Sequence, residues 1–140
     1  MSTETHRSVR LTRTSKGRYE AENPRGGTLS FGSGEDEQFT PVELLLTAIA
    51  GCSAIDVDFI TSKRSEPTRF EVRMRGEKVR DEHGNHLTDL LLTFDVAFPD
   101  DESGAAAAGV LHSAVEASHD RLCTVSRTVE LPTPVRVSVS

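Results

Sequence analysis

The segment around residues 40–60 constrains this chain more than any other. Thr40 is suited to a helix N-cap, Pro41 to the first helical position, and Glu43 to the reciprocal position of a capping box. Apolar residues follow at Leu44, Leu45, Ala48, Ile49, Cys52, Ile55, Phe59 and Ile60. That spacing predicts one long helix of about five turns. Leu46, Ala50, Ala54 and Val57 lie off this stripe, so the helix is expected to be buried on more than one side, in part against a second copy of the chain. Residues 62–67 end it, with Lys63 and Arg64 placed to favour the negative end of the helix dipole.

Short strands surround the helix. Val9 and Leu11 alternate with polar residues, 16–17 and 23–27 read as turns, and 28–31 as a third strand. After the helix, Phe70, Val72 and Met74 alternate with charged residues, and Leu90, Leu92, Phe94, Val96 and Phe98 share one face of a returning strand. A hairpin loop is expected at 81–86, centred on Gly84 and Asn85. A second, weaker helix follows, carrying Val110, Leu111, Ala114 and Val115, with Ser103 as its candidate cap. The alternation of Val135, Val137 and Val139 predicts a closing strand. The fold class is therefore α+β, a single domain over 1–140, with mostly antiparallel sheets and a long central helix.

Apolar residues make up 36% of the chain and charged residues 27%. This is lean for a lone domain, and an interface that completes the core resolves the tension. The net charge of −6 argues against nucleic acid as a partner, because the phosphate backbone is itself anionic. No stretch approaches the roughly 20 apolar residues of a bilayer span, and residues 1–13 lack the apolar core of a signal peptide, so no membrane association is expected. Two cysteines are too few for a secreted disulfide scaffold, which makes a cytoplasmic location the expectation.

Those two cysteines carry the chemistry. Cys52 lies on the apolar stripe, where a free thiol is commonly inert core. Gly51 beside it costs about 1 kcal/mol relative to Ala in a helix interior, and leaves room for a backbone or ligand to approach. Cys123 lies in a different setting, Ser118-His119-Asp120-Arg121-Leu122-Cys123-Thr124-Val125-Ser126-Arg127, whose cations would favour a thiolate.

The run Thr40-Pro41-Val42-Glu43-Leu44-Leu45-Leu46, followed by Gly51-Cys52-Ser53-Ala54, resembles the motif that opens the central helix of the OsmC/Ohr family. The segment Ser118–Ser126 resembles that family's second cysteine motif, and the separation of 71 residues between Cys52 and Cys123 also suits it. The resemblance covers nearly the whole chain and is nearest to a less characterised OsmC-like subgroup. It implies an intertwined homodimer with the long helices at its centre, and a peroxidase acting on organic or lipid hydroperoxides. Cys52 would be the attacking thiol and Cys123 the resolving one, closing a disulfide that a dithiol, small or carried on a lipoylated or thioredoxin-like protein, then reduces. No metal or organic cofactor is implied.

The resemblance also implies an arginine held by a glutamate to activate Cys52, and the candidates are Arg18 and Glu43. Here the sequence departs from the family pattern, in which the acid directly follows the proline. Val42 takes that place and Glu43 comes one residue later. Along an ideal helix Glu43 is about 13.5 Å from Cys52 and about half a turn out of phase. Glu43 is equally well explained as the capping-box acid. A metal site from Cys52, Cys123, His112 and His119 is disfavoured, since zinc sites use closely spaced ligand pairs and Cys52 has no nearby mate. Two alternatives to the enzyme remain: a non-catalytic binder of small ligands, and a redox-sensing stress protein on the same fold.

Overall fold

In the computed structural model, which describes residues 5–140, the N-terminal alternation becomes a three-stranded antiparallel sheet. Its strands are β1 (Arg10–Ser15), β2 (Arg18–Glu22) and β3 (Thr28–Phe31), in that spatial order. Gly17, at φ +74°, makes the first turn. The Asn23 side chain organises the second, its Oδ1 accepting from the Arg25 and Gly27 amides at 2.9 Å. Tyr19 and Phe31, opposite each other in the register, stack with centroids 5.9 Å apart. This sheet belongs to one compact unit, which ends at Leu45; a second begins at Leu46.

Helix α1 spans Pro41–Thr61 and opens with the expected capping box. The Thr40 amide donates to Glu43 Oε1 at 2.9 Å, and the Glu43 amide to Thr40 Oγ1 at 3.2 Å. The buried stripe differs from the expected one. It runs Ile49, Ser53, Val57, Thr61, at steps of four residues, while Ile55 and Phe59 remain exposed. Two hydroxyl residues therefore sit where aliphatic ones were expected. Thr61 satisfies its own by donating to the Val57 carbonyl at 3.0 Å. By length and composition α1 is also long and apolar enough to cross a membrane, which the sequence had not suggested. Asp56 and Asp58 interrupt it.

The second unit is built on a long antiparallel hairpin of β4 (Arg69–Asp81) and β5 (Gly84–Ala97). Phe70 lies opposite Val96, Val72 opposite Phe94 and Met74 opposite Leu92, so the apolar residues share one face as their alternation requires. The register shifts between Arg75 and Glu77, where Gly76 leaves space for Leu90. The turn is tighter than expected. Gly84 already pairs with Asp81 and Asn85 with Arg80, leaving only Glu82 and His83 between the strands.

Helix α2 (Glu102–Ala117) is capped by Asp101, not Ser103: Asp101 Oδ1 accepts the Gly104 amide at 2.7 Å. Its buried residues are small, namely Gly104, Ala107 and Ala114, and Gly104 passes so close to the Pro99 carbonyl that no side chain fits there. The helix continues into a single π-helical turn, Ser118–Leu122, and then into α3 (Thr124–Glu130), which the sequence had not announced. The closing strand expected at Val135, Val137 and Val139 does not form. These residues are exposed and pair with no strand among the described residues.

Candidate functional site: two facing thiols

Cys52 projects from the middle of α1, and Cys123 sits at the junction between the π turn and α3. The local geometry of that junction positions the second thiol. The Cys123 amide reaches back five residues to the Ser118 carbonyl at 2.9 Å, the bond that defines a π turn, and its backbone then turns extended (φ −76°, ψ 102°). Cys123 thereby becomes the N-cap of α3, its sulfur accepting the Ser126 amide at 3.4 Å, the place an Asp or Ser oxygen usually fills. Ser118 Oγ donates to Asp56 Oδ2 at 2.9 Å and so ties the π turn to α1 one helical turn beyond Cys52. The two thiols, distant in sequence, come close enough that each shifts the other's ionisation. Both are free thiols.

Their environments differ. Cys52 is half-buried, Cys123 wholly so. Burial pushes the Cys52 thiol above its ordinary value, and the neighbouring Cys123 and Asp56 push it further; only the Val125 main-chain amide acts the other way. Burial pushes Cys123 up as well, but the Ser126 hydroxyl, the Ser53 hydroxyl, the Ser126 amide and the Cys52 thiol all turn towards its sulfur. Together they hold it below the ordinary value. Two of the cations expected to do this have other partners, and the third, the exposed Arg121, is not among the groups that lower it. Arg127 pairs with Glu130 at 2.9 Å, and His119 with Asp120 at 3.0 Å and Glu130 at 3.4 Å. Hydrogen-bond donors, not charges, prepare this thiol. Ser53 and Ser126 are the residues the sequence reading passed over, although each stood in a quoted motif, one residue after Cys52 and three after Cys123.

Arg18 and Glu43 belong to the N-terminal unit. Arg18 forms an ion pair with Asp36, and Glu43 serves the capping box. His119 is engaged with two carboxylates, and among the described residues no three His, Cys, Asp or Glu side chains converge.

Two apolar clefts flank the thiol-bearing elements. One, of about 290 Å³, is walled by Ile49, Met74 and Leu92 and bordered by His119, Glu130 and Ser126, the residue that contacts Cys123. The other, of about 330 Å³, runs along Leu46, Ala50, Gly51 and Ala54, and nothing lies within 4 Å of where a Gly51 side chain would begin. The open flank inferred for Gly51 is therefore present.

Antiparallel sheets, a long helix and a facing pair of thiols define an α+β protein of a recognisable class. The chain belongs to the OsmC-like protein family, whose model matches residues 34–138. An uncharacterized protein of Mycobacterium tuberculosis is 30% identical over 131 residues, covering 92% of this chain and 93% of its own length. Among solved structures, an OsmC-like protein of unknown function from Vibrio cholerae matches with a TM-score of 0.73 at 16% identity, covering 90% of this chain and 94% of that one. An organic hydroperoxide resistance protein from Elizabethkingia anophelis matches with a TM-score of 0.59 at 14% identity, covering 91% of each chain. At those identities the likeness is one of fold.

Proposed function

We propose that the protein is a thiol-dependent reductase of organic or lipid hydroperoxides, working through Cys52 and Cys123. The observation that carries this reading is the closeness of the two thiols, each of which shifts the other's ionisation. A pair already in contact closes to a disulfide with little movement of the backbone. The fold shared with an organic hydroperoxide resistance protein supports it at the level of family.

The chemistry runs as follows. Cys123, starting as the thiolate, takes the proton of the neighbouring Cys52, and the Cys52 thiolate attacks the outer peroxide oxygen. The O–O bond breaks, the alcohol leaves with that proton, and Cys52 becomes a sulfenic acid. The Cys123 thiolate then attacks the Cys52 sulfur, hydroxide departs, and the disulfide forms. Two electrons from a dithiol restore the pair. The apolar walls beside Ser126 and Gly51 suit an organic peroxide better than hydrogen peroxide. The exposed Ile55, Phe59 and the 131–140 tail suit burial by a second copy, so the working form is proposed to be a homodimer of single-domain chains in the cytoplasm.

Glu43 tied into the helix cap favours a second reading, in which the thiols respond to oxidant without rapid turnover and the disulfide serves as a sensor. One experiment separates the two. Reduced protein receives one equivalent of an organic hydroperoxide and its free thiols are counted. Loss of both within seconds, prevented by Cys52→Ser and reversed by a dithiol, supports the reductase. A fast disulfide that dithiols leave intact supports the sensor. Thiols that survive for many minutes overturn both.

A further inference from the structure

Ser53 and Ser126 enclose Cys123 and leave Cys52 to the solvent side, and this asymmetry fixes how a disulfide between them would be opened. We infer that the reductant attacks Cys52 Sγ and that Cys123 departs as the thiolate, received by the hydroxyls of Ser53 and Ser126 and by the Ser126 amide. The inference rests on the disulfide reading above and adds its reductive half.

Three observations carry it. The first is access. A thiolate must approach one sulfur along the S–S axis, opposite the sulfur that leaves. Cys123 has no exposed surface, whereas Cys52 keeps some. The second is the fate of the departing charge. Cys123 Sγ accepts the Ser126 amide at 3.4 Å and lies 3.3 Å from Ser126 Oγ. In the neutral thiol the S–H points at that hydroxyl; once the proton is gone the hydroxyl rotates and donates back. Ser53, buried on α1, directs its hydroxyl to the same sulfur. The third is what a charge on Cys52 would meet. The Asp56 carboxylate, one turn along the helix, disfavours a thiolate there, so Cys52 is the poorer leaving group.

The step balances. The first thiolate of the reductant bonds to Cys52 Sγ, the S–S bond breaks, and its electron pair stays on Cys123. The second thiol of the reductant then attacks its own sulfur in the mixed disulfide. Cys52 leaves, takes the proton of that thiol, and the reductant departs as a cyclic or linked disulfide. Two electrons have passed to the protein pair.

The test uses the full chain oxidised with diamide, so that it does not depend on peroxide chemistry. A limiting amount of glutathione is added, the mixture is quenched in acid, and peptide mass spectrometry locates the mixed disulfide. It is expected on Cys52. An adduct on Cys123, or an equal division, overturns the inference, as does failure of diamide to join the two thiols. Ser126→Ala and Ser53→Ala should each slow reduction by dithiothreitol by roughly tenfold, the scale of one lost hydrogen bond to a charged atom. Ser126→Thr, which keeps the hydroxyl, should recover most of the rate. A rate indifferent to both alanine changes overturns the role of the serines; the adduct map needs no variant and stands if one fails to fold. If hydroperoxide fails to join the thiols while the diamide-formed bond opens at Cys52, the proposed activity falls and this inference survives. If hydroperoxide joins them and the adduct forms on Cys123, the reverse holds.

Discussion

Cys52 keeps part of its surface and yet holds its proton more tightly than usual, while Cys123 has no surface and releases its proton more easily. Burial by itself would order them the other way. The difference lies in what surrounds each sulfur. Around Cys52, in the body of a helix, the helix's own amides are spent on i→i−4 bonds, the Val125 amide alone acts on the sulfur from outside, and a carboxylate stands nearby. Around Cys123, the break between the π turn and α3 frees an amide, and two serines supply hydroxyls. Hydrogen-bond donors outweigh desolvation when several of them converge on one atom.

The comparison can be broken most directly by removing each sulfur in turn. Cys52→Ser should cut peroxide reduction by at least about a hundredfold, leaving Cys123 intact but sheltered. Cys123→Ser should still lose its one remaining thiol to peroxide, more slowly than the wild type, and should stop at a sulfenic acid that dimedone traps. If Cys123→Ser turned over normally, the two sites would not be a functional pair.

A titration sharpens the same contrast. Ultraviolet thiolate absorbance of the reduced protein should show one ionisation below the ordinary cysteine value of 9.0 and one above it. Cys52→Ala should move the first upward, because Cys123 loses a donor. The linkage has opposite signs at the two sites. The depressed Cys123 stabilises the fold above the unfolded cysteine pKa, and that contribution fades as pH falls through the folded value. The raised Cys52 contributes below the unfolded pKa, and its share is lost as pH rises through the folded one. Urea melts from pH 7 to 10 on each single serine variant should therefore slope in opposite directions.

Smaller effects test the tie between the two segments. Ser118→Ala removes the 2.9 Å bond to Asp56 and should cost about 1–2 kcal/mol in a denaturant melt. Asp56→Asn keeps an acceptor for Ser118 but removes the charge, so the Cys52 ionisation should move down with little loss of stability. Least of all, His119 is held above 6.5 chiefly by its bond to Asp120, with Glu130 adding to it. Its pairing helps below the ordinary histidine value and is lost as pH rises through the raised one. An NMR titration should show the shift, and Glu130→Gln should reduce it.

Much of this fold is legible in the chain. Thr40, Pro41 and Glu43 start α1 where their side-chain chemistry places it, since a capping box involves only four consecutive residues. Phe70, Val72 and Met74 announce β4 by alternation alone. The misses are of another kind. Ile55 and Phe59 were assigned to the buried face, but the face actually covered carries Ser53 and Thr61. Apolar periodicity marks what a helix can bury, not which partner arrives. The Val135–Val139 alternation likewise marks what a strand could bury, yet these residues stay exposed and unpaired with either sheet. Helix α3 was missed because its cap is a cysteine, outside the usual set of capping residues.

Local rules therefore sufficed for the helix starts, the strand alternation and the two cysteine motifs, because hydrogen bonds a few residues apart and a repeating side-chain direction are written directly into the order of residues. The meeting of Cys52 with Cys123, and the placing of Ser53 beside the same sulfur, were settled only by the folded chain. Those depend on which surfaces pack together across 71 residues of sequence, and packing is a property of the whole arrangement rather than of any one segment.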